Sequence, residues 1–131
     1  MKVTILDDSR TDSYLAGKVA GRFFSDVVIC GTPHEFRESM KGSLPELILL
    51  DVHIGDMHNG INILDEIRTS HSEASIVPIV VLTSSNDERI HKHALECGAS
   101  HVLTKPLTEE KLAPLLQRLI PGFPVAGDVT S

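Results

Sequence analysis

Short apolar runs alternate with amphipathic stretches along nearly the whole chain. The runs are Val3 to Leu6, Val27 to Cys30, Leu47 to Leu50, Ile79 to Leu82, and His101 to Leu103. They are rich in Val, Ile and Leu and do not alternate with polar residues, which is how strands covered on both faces read. Five such strands separated by helices imply βαβ units and a parallel sheet. One α/β domain is expected over residues 1–120, followed by a tail or linker start at 121–131 that opens with Pro121-Gly122-Phe123-Pro124.

The helices carry local signals. The first follows Ser9 and places Leu15, Val19 and Phe23 at i, i+4 and i+8, the expected core stripe. Gly17 and Gly21 fall on the next stripe and favour close helix–sheet packing. Thr32-Pro33-His34-Glu35 opens the second, with a Thr cap and Pro at the first helical position. The third runs from about Asn59 through Ile61, Leu64 and Ile67. The fourth is expected to open at Ser85, with Glu88 as capping-box partner, and to stop at Gly98. The fifth starts at Thr108 with Leu107 and Leu112 as a staple, and Pro114 inside it should kink or delay it.

Composition narrows the function. The 131 residues carry 12 Lys and Arg against 18 Asp and Glu, a net charge of −6. That balance disfavours binding to a nucleic-acid backbone. Trp is absent and aromatics are 4% of the chain, so the core is aliphatic and no base-stacking platform is expected. No stretch approaches the length of a membrane span, and the first residues do not read as a signal peptide. Cys30 and Cys97 form no disulfide framework and read as small hydrophobes in a reducing compartment. The expected location is the cytoplasm, with no membrane partner. Of the seven histidines, His91 and His93 are two apart on a predicted helix and share no face. A solvated surface accounts for most of them better than a metal site.

In an open parallel sheet, ligands gather at the carboxyl ends of the strands. Asp7 and Asp8 stand after the first strand, Asp51 after the third, Thr83 and Ser84 after the fourth, and Lys105-Pro106 after the fifth. Taken singly, each acid reads equally well as a cap or turn residue. Taken together, three carboxylates at one sheet edge repel unless a cation neutralises them. An all-oxygen set suits Mg²⁺, or Mn²⁺, rather than a soft metal. Such an ion keeps open positions for a phosphoryl oxygen, and phosphoryl transfer needs positioning and charge neutralisation above all. Lys105 and Thr83 can each take one phosphoryl oxygen, and an Asp can itself be the nucleophile.

These segments resemble the response-regulator receiver domain of two-component signalling. Ile5-Leu6-Asp7-Asp8-Ser9 is similar to its acidic pair, and Leu47 to Val52 to its phospho-acceptor strand. Pro78 to Ser84 is similar to its fourth strand, and Gly98 to Pro106 to its Lys-Pro strand. The resemblance implies a three-layer, flavodoxin-like (βα)5 fold with sheet order 2-1-3-4-5. It further implies phosphorylation of Asp51, with Asp7, Asp8, Asp51 and the backbone carbonyl of His53 holding Mg²⁺. Thr83 and Lys105 would contact the phosphoryl group, and the Lys105–Pro106 peptide would be cis. His53 and Ser85 would line the path of the attacking water. The implied partners are a sensor histidine kinase or a histidine phosphotransfer protein, then an output domain or downstream protein. A phosphorylation-dependent dimer belongs to the same class. Such a domain accepts and loses its own phosphoryl group and is not an enzyme with a separate substrate.

Two departures stand out. The loop Asp51-Val52-His53-Ile54-Gly55-Asp56-Met57-His58-Asn59-Gly60 lacks the family's Pro, and its Gly comes one residue late. Greater loop mobility is expected, with Asp56 or His58 near the site. Val102 stands three before Lys105, where the family carries its switch aromatic. The alternatives are a Mg²⁺-dependent phosphohydrolase on a similar sheet and a binding-only pseudo-receiver. The dehalogenase-type hydrolase wants Asp-x-Asp after the first strand, whereas Asp7 and Asp8 are adjacent. The pseudo-receiver typically lacks an acid or the Lys.

Overall fold

The computed structural model describes residues 1–54 and 58–124, with residues 54, 58 and 59 described by backbone only. The expectations for Asp56, for the side chain of His58 and for the end of the tail lie outside the described residues. The strands are β1 (Lys2–Leu6), β2 (Asp26–Cys30), β3 (Leu47–Asp51), β4 (Ile79–Thr83) and β5 (His101–Thr104). The helices are α1 (Arg10–Ala20), α2 (Pro33–Ser39), α3 (Gly60–Thr69), α4 (Glu88–Glu96) and α5 (Glu109–Leu119). All pairings in the main sheet are parallel, in the order β2-β1-β3-β4-β5. A two-residue ribbon, His53–Ile54 against His58–Asn59, follows β3.

The alternation of side chains along a strand divides β3 between two cores. Leu47 and Leu49 join Val3, Ile5, Val80 and Leu82 beneath α1 and α5, with Ala16, Ala20, Leu112 and Leu116 from those helices. Ile48 and Leu50 join Val81, Phe36, Leu64 and Ala94 on the opposite face. Every residue of β3 and of β4 is buried, which is why neither strand alternates with polar residues.

Several helical expectations are corrected. Leu15 does not face the core; it is exposed, and the buried face of α1 is Ser13, Ala16 and Ala20. A Cβ on Gly17 would stand 3.0 Å from Cδ1 of Ile29 on β2, a close helix–sheet approach as expected for Gly17 but not for Gly21, whose Cβ would meet its own helix. Phe23 lies past the end of α1, but it and Val19 do pack against the core. The cap of α4 is Asp87, whose side chain accepts from the Arg89 N–H, and not Ser85. Ser85 Oγ instead accepts from the Asp87 N–H at 3.0 Å, two residues on. Pro114 does not delay α5, which runs from Glu109 to Leu119 with Thr108 as cap.

The loops on the far side of α4 are anchored by Arg68. Its guanidinium donates to the carbonyls of Gly98, Ser75 and Val77 at 2.7 to 2.9 Å. Gly98 has φ +111°, the left-handed stop expected after α4. Among the described residues, no helix is long and apolar enough to cross a membrane.

Candidate phosphoryl-acceptor site

The site stands where β1, β3, β4 and β5 end. Asp51 is the last residue of β3, and its side chain is 6% exposed. Asp7 follows β1 and is more enclosed still, with its Oδ1 accepting from the Ser9 N–H at 2.9 Å. Lys105 follows β5, where its N–H donates to the Thr83 carbonyl at 2.7 Å. The next peptide, Lys105–Pro106, is cis as expected.

Asp7, Asp8 and Asp51 place one carboxylate oxygen each within 4.8 Å of one another, with Asp8 the exposed member. Their spacing and all-oxygen chemistry fit a hard divalent cation. The Asp51 Oδ1 lies 3.3 Å from Lys105 Nζ and also accepts from the His53 N–H at 3.3 Å. Thr83 is fully buried, and its Oγ1 accepts from the Ser85 N–H at 3.1 Å.

Asp12 is a residue that the sequence analysis missed. Its Oδ2 is 2.8 Å from Lys105 Nζ, nearer than Asp7 Oδ2 at 3.1 Å. Asp12 lies in the first turn of α1, at the sheet end from which the helix springs.

The electrostatics follow from burial. Desolvation, and then the charge of Asp7, push the Asp51 carboxyl from its ordinary 3.8 up to about 6, against the pull of Lys105 and the His53 N–H. Burial alone pulls the Lys105 ammonium down. The Asp12 hydrogen bond, the Asp51 charge and Asp7 outweigh it and hold Lys105 above its usual value. An unneutralised Asp51 therefore strains the fold at neutral pH. Because the folded chain binds the Asp51 proton more tightly than the unfolded chain, stability falls as pH rises from about 4 through 6. With a chelator present, Asp51→Asn is expected to be more stable than wild type at neutral pH by on the order of 1–2 kcal/mol. The difference should close as pH falls toward the ordinary carboxylate range. Thermal denaturation at the two pH values checks this, and an equal or lower melting temperature for the variant at neutral pH contradicts it.

Comparison with known proteins bears on the same residues. The family model of the response regulator receiver domain matches residues 3–117, a span that holds the whole site. The chain belongs to this family. This receiver domain is 32% identical over 87 residues to the regulatory protein LuxO of Vibrio vulnificus strain YJ016, covering 66% of the chain and 18% of that protein. It is 29% identical over 132 residues to the signal transduction histidine-protein kinase BarA of Escherichia coli K12, covering all of the chain and 14% of that protein. The receiver domain thus spans less than a fifth of the length of either relative. Among solved structures, it superposes with a TM-score of 0.81 on the signal receiver domain of a DNA binding response regulator from Colwellia psychrerythraea 34H. That likeness covers 91% of this chain and 97% of the other at 16% identity, and speaks to the fold alone. The fold agrees with the expected sheet order.

Proposed function

We propose that this receiver domain accepts a phosphoryl group on Asp51 from a phosphohistidine of a sensor histidine kinase or histidine phosphotransfer protein. The observation that carries this reading is Asp51 itself. It is a buried carboxylate at the end of β3, 3.3 Å from the Lys105 ammonium and clustered with Asp7 and Asp8. In the transfer, the N–P bond of the phosphohistidine breaks and an O–P bond forms at Asp51. The leaving imidazole nitrogen keeps the electron pair and takes a proton. Lys105 meets the charge on the phosphoryl oxygens where it develops, and the Thr83 hydroxyl donates to another of them. Asp7, Asp8, Asp51 and the His53 carbonyl would hold Mg²⁺ or Mn²⁺, which supplies positive charge to the same oxygens. Water later cleaves the acyl phosphate, with His53 and Ser85 beside its path. The domain is self-modified in this reading, with no separate substrate to turn over.

The setting proposed is the cytoplasm, with 1–120 as the acceptor domain. An output domain or downstream protein reads the state, by a phosphorylation-dependent dimer in some arrangements, and neither nucleic acid nor membrane is bound directly. Adjacent rather than alternating acids after β1 argue against a dehalogenase-type hydrolase. The full set of acids with Lys105 argues against a pseudo-receiver. The test is exposure to a small phosphoryl donor and a divalent cation, read as intact mass. One added phosphoryl group is expected, and no added mass overturns the reading.

The switch needs a route other than an aromatic ring, because Val102 is partly buried against the α3–α4 core. A continuous one runs from Thr83. Its Oγ1 accepts from the Ser85 N–H, and the Ser85 carbonyl lies 2.8 Å from His91 Nε2 on α4. If Thr83 turns to a phosphoryl oxygen, the Ser85 N–H loses its acceptor and the loop ahead of α4 shifts with His91. Amide shift mapping with beryllium fluoride as phosphoryl mimic should show its largest changes from Ser84 to His91, weakened in His91→Ala. Changes centred on β5 and α5, with a quiet Ser84–His91 segment, contradict this route.

A further inference from the structure

Lys105 is engaged by three carboxylates, and the shortest contact belongs to the acid outside the Asp7–Asp8–Asp51 cluster. Nζ lies 2.8 Å from Asp12, 3.1 Å from Asp7 and 3.3 Å from Asp51. An ammonium has three N–H donors. Two of them are hydrogen-bonded, to Asp12 and Asp7, while Asp51 is an ion-pair contact, so turning the ammonium fully to a phosphoryl oxygen on Asp51 pulls against these two bonds. Asp7 is buried, and a buried acid stripped of its cation is left uncompensated. The Asp12 side chain is 43% exposed, so water replaces the lost partner at little cost. Asp12 is the partner that Lys105 can release.

We propose that Asp12 is a positioning residue that holds Lys105 in the resting state and slows phosphoryl acceptance until it lets go. This rests on the reading of Asp51 as acceptor and adds a rate-setting residue to it. The bland account is that Asp12 is a first-turn acid favoured by the α1 dipole, with its N–H on the Ser9 hydroxyl. That account predicts a change in stability but none in rate through Lys105. The two separate in a double-mutant cycle.

Labelling from a small anionic phosphoryl donor with Mg²⁺ is timed for wild type, Asp12→Ala, Lys105→Ala and the double variant. Asp12→Ala is expected to accept the group about fivefold faster than wild type, the value of releasing one half-exposed ion pair. In the Lys105→Ala background the same change should leave the rate where it was. The acceleration should persist in about 1 M salt, where the Debye length is about 3 Å and a general gain in attraction for the anionic donor is screened. Asp12→Glu should restore the slow rate. Equal or slower labelling of Asp12→Ala overturns the proposal. So does an acceleration that survives in the Lys105→Ala background or vanishes in salt. If wild type takes no label at all, the reading of Asp51 as acceptor falls, and this inference with it.

Discussion

Gly60→Ala is expected to destabilise the domain by about 3 kcal/mol or more, the upper part of the range for overpacking. Gly60 opens α3 and its N–H donates to the Val52 carbonyl at 2.7 Å. A Cβ there would overlap the carbonyl oxygen of Asp51 and stand 2.9 Å from the Asp51 carbonyl carbon and 3.0 Å from Val52 Cα. All three are backbone atoms, so no side-chain rotation relieves the clash. Its φ is not positive, so the demand for glycine here is one of space. The chain folds back on the very peptide that carries the acceptor, so relief by backbone movement would also displace the Asp51 carboxylate. Urea denaturation compares the midpoints. A loss of under about 1 kcal/mol would show that the turn has room to relax.

The sheet was legible because both of its faces are covered. Parallel strands under helices must be apolar on successive residues, and β3 and β4 are buried at every position. The site was legible because strand ends in such a sheet are fixed by the ends of those apolar runs. Asp51 and Thr83 are the last residues of β3 and β4, and Asp7 and Lys105 the first beyond β1 and β5. What escaped the sequence was decided by the face a helix turns to the core and by competing local hydrogen bonds. Leu15 has the right spacing for a core stripe, but the face that α1 turns to the core is Ser13, Ala16 and Ala20, and Leu15 falls beside it. Ser85-x-x-Glu88 has the form of a capping box. Yet the Ser85 hydroxyl is engaged two residues on, and its N–H is given to Thr83, so Asp87 becomes the cap. Asp12 was silent because an acid in the first turn of a helix already has an ordinary explanation. Only the placement of Lys105, 93 residues away in sequence, gives it a second role.

In the proposed function, Asp51 is the nucleophile and Lys105 its charge partner. Complete loss of acceptance is the expected result for Asp51→Asn, the largest functional effect anticipated for this chain. Asparagine nearly preserves the shape of the side chain but offers no carboxylate oxygen to form the acyl phosphate. It also removes one of the three clustered acids, so the charge that draws a divalent cation to the site falls. Lys105→Ala keeps the nucleophile. It leaves Asp7 and Asp51 without the ammonium now at 3.1 and 3.3 Å, so labelling should continue at a rate lower by about 10²-fold. Neighbouring acids make intact mass alone an incomplete assignment, because one added phosphoryl group does not say which of Asp7, Asp8 and Asp51 carries it. The most direct measurement is therefore the chemical location of the label. Wild type and Asp51→Asn are incubated with a small phosphoryl donor and Mg²⁺, then treated with borohydride, which reduces an acyl phosphate to the alcohol. Peptide mass spectrometry should find homoserine at position 51 of the wild type and no reduced residue in Asp51→Asn. Homoserine at position 7 or 8 of the wild type, or undiminished labelling of Asp51→Asn, would contradict the assignment of Asp51 as the acceptor.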